Sequence, residues 1–167
     1  MEIKTSTIKA LRERSGAGVM DCRNALIETE GDIEKAHQAL REKGILKAAK
    51  KADRETRQGL VEAYIHPGGR IGSLVEINCE TDFVARTDEF KKLAREVAMQ
   101  VAAMCPLVVS REELPEGSEE EPEKACLLVQ PYIRDNTMTV ADLIAEMIAK
   151  TGENIRLKRF ARFELGS

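Results

Sequence analysis

The apolar side chains of this chain first change period at Gly59. Up to about residue 45 they recur every three or four residues; over 59–79 they alternate. The first spacing lines one stripe of a helix and the second lines one face of a strand. A chain patterned in this order predicts an α+β fold. We expect an N-terminal three-helix bundle, then a core with a three-stranded antiparallel sheet and helices packed on one face.

The helical part is punctuated by glycine. In "TIKALRERSG" Ile8 and Leu11 share a stripe that stops at Ser15-Gly16. In "GVMDCRNALIETEGD" Val19, Cys22 and Leu26 share another, which stops at Gly31. Asp32 is a good N-cap for "IEKAHQALREKG", with Ile33, Ala36 and Leu40 on one face and Gly44 as the expected stop. Residues 1–45 are therefore expected as a bundle, small enough to be marginally stable alone. Residues 46–58, polar and largely basic, are expected as a linker. Residues 59–167 form the α+β core.

In that core "GLVEAYIH", the turn "PGGR" and "IGSLVEINCE" predict a hairpin. Val61, Ala63 and Ile65 alternate on the first strand, and Ile71, Val75, Ile77 and Cys79 on the second. Phe90, Leu93, Val97, Val101 and Met104 mark an amphipathic helix over 88–104, stopped by Pro106. Ser110 to Glu113 and Thr139 to Asp142 have capping-box spacing. The acidic segment near 112–124 reads as a solvated, mobile loop. The final run "NIRLKRFARFEL" predicts a third strand, with Ile155, Leu157, Ala161 and Phe163 on one face and Arg156, Lys158, Phe160 and Arg162 on the other.

Function classes narrow by exclusion. A formal net charge of −3 argues against a protein built around phosphate contacts. Basic groups around Phe160 have the composition of a single-strand binding face, but a charged edge strand that resists aggregation explains them as well; no direct nucleic-acid contact is expected. The four cysteines and two histidines form no ligand cluster, so neither a metal nor another cofactor is expected. No P-loop, dinucleotide fingerprint or nucleophile elbow occurs, so the chain does not read as an enzyme. No apolar run approaches a bilayer-spanning length, and "MEIKTSTIKALRER" resembles no signal or transit peptide. A cytoplasmic protein is expected.

One stretch stands apart. "ETDFVARTDEF" sets Phe83 beside Thr81 and Asp82 at a strand exit, in a chain that is 4% aromatic. Residue chemistry leaves two readings open. Asp82 caps a helical turn while Phe83 packs beside Phe90, or Phe83 is a wedge offered to a partner.

"LRERSGAGVMDCRNAL", "GDIEKAHQALREKG", "VEINCETDFVART" and "GENIRLKRFARFELG" resemble the ordered signatures of bacterial elongation factor Ts, over nearly the whole chain. The resemblance implies a guanine-nucleotide exchange factor for the GDP-bound and nucleotide-free forms of elongation factor Tu. It implies a ubiquitin-associated-like N-terminal bundle that grips the GTPase, with Leu11, Val19 and Met20 as candidate contacts. Val19 and Met20 are adjacent, so both cannot point fully into one small core. The resemblance further implies that Thr81, Asp82, Phe83 and Val84 disturb the magnesium and phosphate end of the nucleotide site. The chain departs from the longer family members in having a single hairpin-plus-helix core, and Val19 stands where the family pattern usually has Met. It looks like the short form, for which a homodimer through the sheet region including residues 155–163 is expected.

Overall fold

The computed structural model describes residues 3–167. It is an α+β protein in the expected order: three helices, then a three-stranded antiparallel sheet with helices packed on it. The chain divides into two compact units, one of residues up to Asp53 together with 145–152, the other of 54–144 together with 153–167.

The first unit holds α1 (Thr5–Ser15), α2 (Val19–Glu28) and α3 (Ile33–Ala49). Gly16 ends α1 in the left-handed conformation, and the Asp32 carboxylate accepts the Lys35 N–H at 3.0 Å to start α3. That bond holds the Asp32 carboxyl below the usual carboxylate range. Leu11, Cys22, Ala25, Leu26, Ala36 and Leu40 form the bundle core. Gly44, expected as a stop, lies inside α3. It is buried there with helical backbone, and a Cβ added to it would meet the Ala149 Cβ at an ordinary contact distance of 3.5 Å. Local propensity lost to tertiary packing.

In the second unit β1 (Gln58–Ile65), β2 (Ile71–Cys79) and β5 (Ile155–Glu164) form a sheet in the order β1-β2-β5, all antiparallel. Helix α5 (Asp88–Met104) packs on one face, where Val75, Ile77, Phe90, Leu93, Val97 and Val101 are buried. The short helices α4 (Asp82–Ala85) and α6 (Pro122–Ala125), a second sheet of β3 (Pro131–Tyr132) and β4 (Asp135–Thr139), and α7 (Val140–Thr151) complete the unit list, the second half of α7 being counted with the first unit. The β3–β4 pair was not anticipated; its strands are too short to carry a period. Thr139 and Asp142 form the expected reciprocal cap, with N–H donors at 2.8 and 3.2 Å. Ser110 does not cap its turn; Glu113 instead accepts the Val109 N–H.

Two strand assignments need correction. Val61, Ala63 and Ile65 line the face of β1 away from α5, and Val61 and Ile65 are each 65% exposed. Strand β5 changes face along its length. Glu76 pairs with Arg159 and Ile77 with Leu157, which leaves Lys158 as a bulge residue. Such an insertion shifts the alternation by one. Ile155 and Leu157 are buried, but beyond the bulge it is Arg162 that faces α5, its Nε donating to the Ala102 carbonyl at 3.0 Å. Ala161 and Phe163 point the other way. Arg156, Lys158, Phe160 and Arg162 therefore do not form one basic-aromatic face.

Gly59 is required where it stands. Its φ is +146°, and a Cβ would lie 2.2 Å from the Ile77 carbonyl oxygen. Replacing it with alanine combines backbone strain with a clash against a paired strand. Gly59→Ala is expected to lower unfolding free energy by at least about 2 kcal/mol, read from urea melts.

Candidate functional site

The segment from Cys79 to Thr87 folds as one braced corner. Strand β2 ends at Cys79, and α4 is a single turn. Thr81, not Asp82, is its N-cap: Thr81 Oγ1 accepts the Val84 N–H at 3.4 Å. Thr87 closes the far side, its hydroxyl donating to the Val84 carbonyl at 2.8 Å and accepting the Phe90 N–H at 3.2 Å. Two threonine caps thus sit back to back, each fixing one helix entry.

The corner is also anchored from a distant point in sequence. Glu153 Oε2 accepts the N–H groups of Glu80 and Thr81 at 3.1 and 3.0 Å, and Oε1 accepts the Thr81 hydroxyl at 2.5 Å. In return Glu80 Oε1 accepts the Asn154 N–H at 2.6 Å, with Arg54 at 3.5 Å from the same oxygen. The Asn154 side chain is buried and donates to the Arg54 carbonyl at 2.8 Å. Cys79 donates its thiol hydrogen to the Thr81 carbonyl at 3.1 Å. Burial, with the Glu153 charge adding to it, raises the Cys79 thiol to about 11.

This bracing presents one large ring outward. Phe83 is 82% exposed, while Phe90 is fully buried in the sheet–helix core. The reading in which Phe83 packs beside Phe90 is therefore excluded. Asp82 forms an exposed ion pair with Arg86 at 3.0 Å, and Val84 is half-buried. Thr81, Asp82, Phe83 and Val84 are thus one contiguous feature of the second unit.

The bundle residues divide differently. Val19 and Met20, the first two residues of α2, are 49% and 60% exposed. Leu11 is fully buried in the bundle core, so it is not a surface contact; helical spacing puts it opposite Cys22 and Leu26 rather than outside. Glu153, Glu80 and Asn154 were not singled out from sequence. A carboxylate in a Gly-Glu-Asn turn before a strand is a faint signal, and its partners lie more than seventy residues away.

The corner and the bundle have counterparts among known proteins. The family model described as elongation factor TS matches residues 5–124. The chain belongs to the elongation factor Ts family. The elongation factor Ts of Caldanaerobacter subterraneus subsp. tengcongensis is 53% identical over 194 aligned positions, covering 98% of this chain and 97% of that protein. That of Carboxydothermus hydrogenoformans is 52% identical over 98% of this chain and 89% of its own length. That of Thermotoga neapolitana is 51% identical over 99% and 98%. The aligned length exceeds the 167 residues of the chain, so parts of these elongation factor Ts relatives have no counterpart in it.

Among the described residues no helix is long and apolar enough to cross a membrane, and no cluster of three or more His, Cys, Asp or Glu is arranged to hold a metal. The described cysteines are free, and only Cys105 is exposed. At pH 8 a thiol-disulfide reagent is expected to label one cysteine rapidly, and Cys105→Ser to abolish that fast phase. Cys79 is protected twice, by burial and by its raised pKa.

Proposed function

We propose that the protein is the guanine-nucleotide exchange factor for elongation factor Tu and works in the cytoplasm during translation elongation. In this reading it promotes GDP release by disturbing the magnesium and phosphate end of the nucleotide site. The observation that carries it is Phe83, a ring 82% exposed on a turn whose backbone is pinned at both ends, in a chain of the elongation factor Ts family.

The physics is one of competition. A GTPase holds GDP by backbone donors around its phosphates and by a magnesium ion. A factor can expel GDP only by binding the nucleotide-free shape more tightly. The linkage is reciprocal, so GDP weakens the factor by the same free energy. No covalent bond is made or broken, so the chain needs no catalytic group and no cofactor of its own. Phe83 is the wedge, because an exposed ring gains most by entering a partner's helix packing. Asp82 is its polar companion, able to leave Arg86 at low cost since their pair is solvent-exposed. Thr81 and Val84 shape the turn. Val19 and Met20 dock the bundle on the GTPase, with Leu11 behind them holding α1 and α2 together.

The chain also functions as a homodimer in this reading. Val61, Ala63, Ile65, Leu74, Ala161 and Phe163 lie exposed on the sheet face that α5 leaves uncovered. A second copy suits this surface, because a two-fold axis lets one apolar patch cover itself. Sedimentation equilibrium is expected to give twice the 18.6 kDa chain mass. A monomer at micromolar concentration would count against it.

Release of a fluorescent GDP analogue from purified elongation factor Tu tests the main reading. Acceleration by the protein is the expected result. Binding without acceleration would leave a tethering module, and absence of binding would overturn the reading altogether.

A further inference from the structure

We infer that Glu153 is a positioning residue for nucleotide exchange: its carboxylate, brought beside the β2–α4 corner by the turn before β5, sets the direction in which Phe83 is presented. This rests on the reading of Phe83 as the exchange wedge.

An exposed ring has no packing to aim it. At 82% exposure, Phe83 takes its direction from the backbone of residues 80–85. A single helical turn does not hold itself, because nucleation costs more than its few hydrogen bonds return. The anchors must come from outside. At the far end they are Thr87 and the buried side chain of Ala85. At the near end they converge on Glu153, which accepts three donors, the N–H groups of Glu80 and Thr81 and the Thr81 hydroxyl.

The third of these has a directional consequence. An ionised carboxylate can only accept, so the Thr81 hydroxyl must give its hydrogen to Glu153. Its lone pairs are then left to face the Val84 N–H, which is the cap that starts α4. Glu153 thus orients the cap as well as the backbone before it. The return bond from Asn154 N–H to the Glu80 carboxylate makes the arrangement reciprocal, and it lies one residue beyond the last pair of the β2–β5 ladder, Cys79 with Ile155. Rotation of the corner about the end of β2 would break bonds on both sides.

The test is a double-mutant cycle read in exchange kinetics. Glu153→Ala and Glu153→Gln are made in the parent and in a Phe83→Ala background. Each is titrated against elongation factor Tu loaded with a fluorescent GDP analogue, giving a maximal release rate and a half-saturating concentration. Glu153→Ala is expected to lower the maximal rate about tenfold with less than threefold change in half-saturation. Glu153→Gln, which keeps the length and one full acceptor oxygen, is expected to recover most of the rate. In the Phe83→Ala background Glu153→Ala should cost less than twofold, since there is no ring left to aim. An equal loss in both backgrounds, or a folded Glu153→Ala variant with the parent rate, would overturn the inference while leaving the wedge intact. A Phe83→Ala variant as fast as the parent would remove the wedge reading itself, and the inference with it. If Glu153→Ala does not fold, Thr81→Val carries the same cycle; failure of both to fold would overturn the positioning role in favour of simple structural support.

Discussion

Phe83→Ala is expected to leave the protein folded while slowing stimulated GDP release about 30-fold or more. The first half follows from exposure: a side chain that buries little contributes little to its own fold, so thermal unfolding should shift by no more than about 1 °C. The second half follows from what the ring would do on the GTPase. A large aromatic that enters a partner's packing is the kind of residue that dominates an interface, at about 2 kcal/mol or more when truncated. If that interaction is made mainly in the nucleotide-free complex, the loss falls on the release rate, and about 1.4 kcal/mol corresponds to tenfold. Stopped-flow release at saturating factor is the measurement. An unchanged maximal rate with weaker binding would make Phe83 a docking residue instead of a wedge.

In the proposed homodimer, Phe163→Asp is expected to give a monomer with little change in secondary structure. Phe163 is 70% exposed on the uncovered sheet face, near Ile65 and Leu74 by strand register. In an isologous interface each substitution acts twice. Losing two large apolar contacts at about 1.5–3 kcal/mol each raises the dissociation constant by about two to four decades, before any cost of facing a carboxylate against apolar surface. Sedimentation across a hundredfold concentration range would separate this from no effect. Retention of the dimer would move the interface away from this face.

What could be read in advance depended on distance along the chain. Helix α5 was legible to its last residue because one stripe, from Phe90 to Val101, meets a single sheet face. The Asp32 cap and the Gly16 stop are likewise local chemistry. Gly44 misled because it keeps helical backbone and is buried within α3, where tertiary surroundings outweigh glycine's local tendency to end a helix. Alternation in β1 was clear, but not which face would be covered, since both faces of that strand carry apolar residues. At the corner, Thr81 to Val84 stood out by composition. The groups that hold them, Glu153 and Asn154, are polar residues in a turn, and only the ladder between β2 and β5 brings them there.

The extra residue in β5 has a wider meaning. An unbroken strand of ten residues would tie its two ends to a common parity: whatever served the interior at Ile155 would force the same surface on Phe163. With Lys158 inserted, the two halves of the strand become separately adjustable. The first half can drift under the demands of the core, and the second under the demands of whatever meets the outer surface, without either compromising the other. Deleting that one residue would rejoin them, turning Phe163 inward and Arg162 outward in a single step. A change of length there acts as a switch of allegiance for every side chain from Arg159 to Glu164 at once.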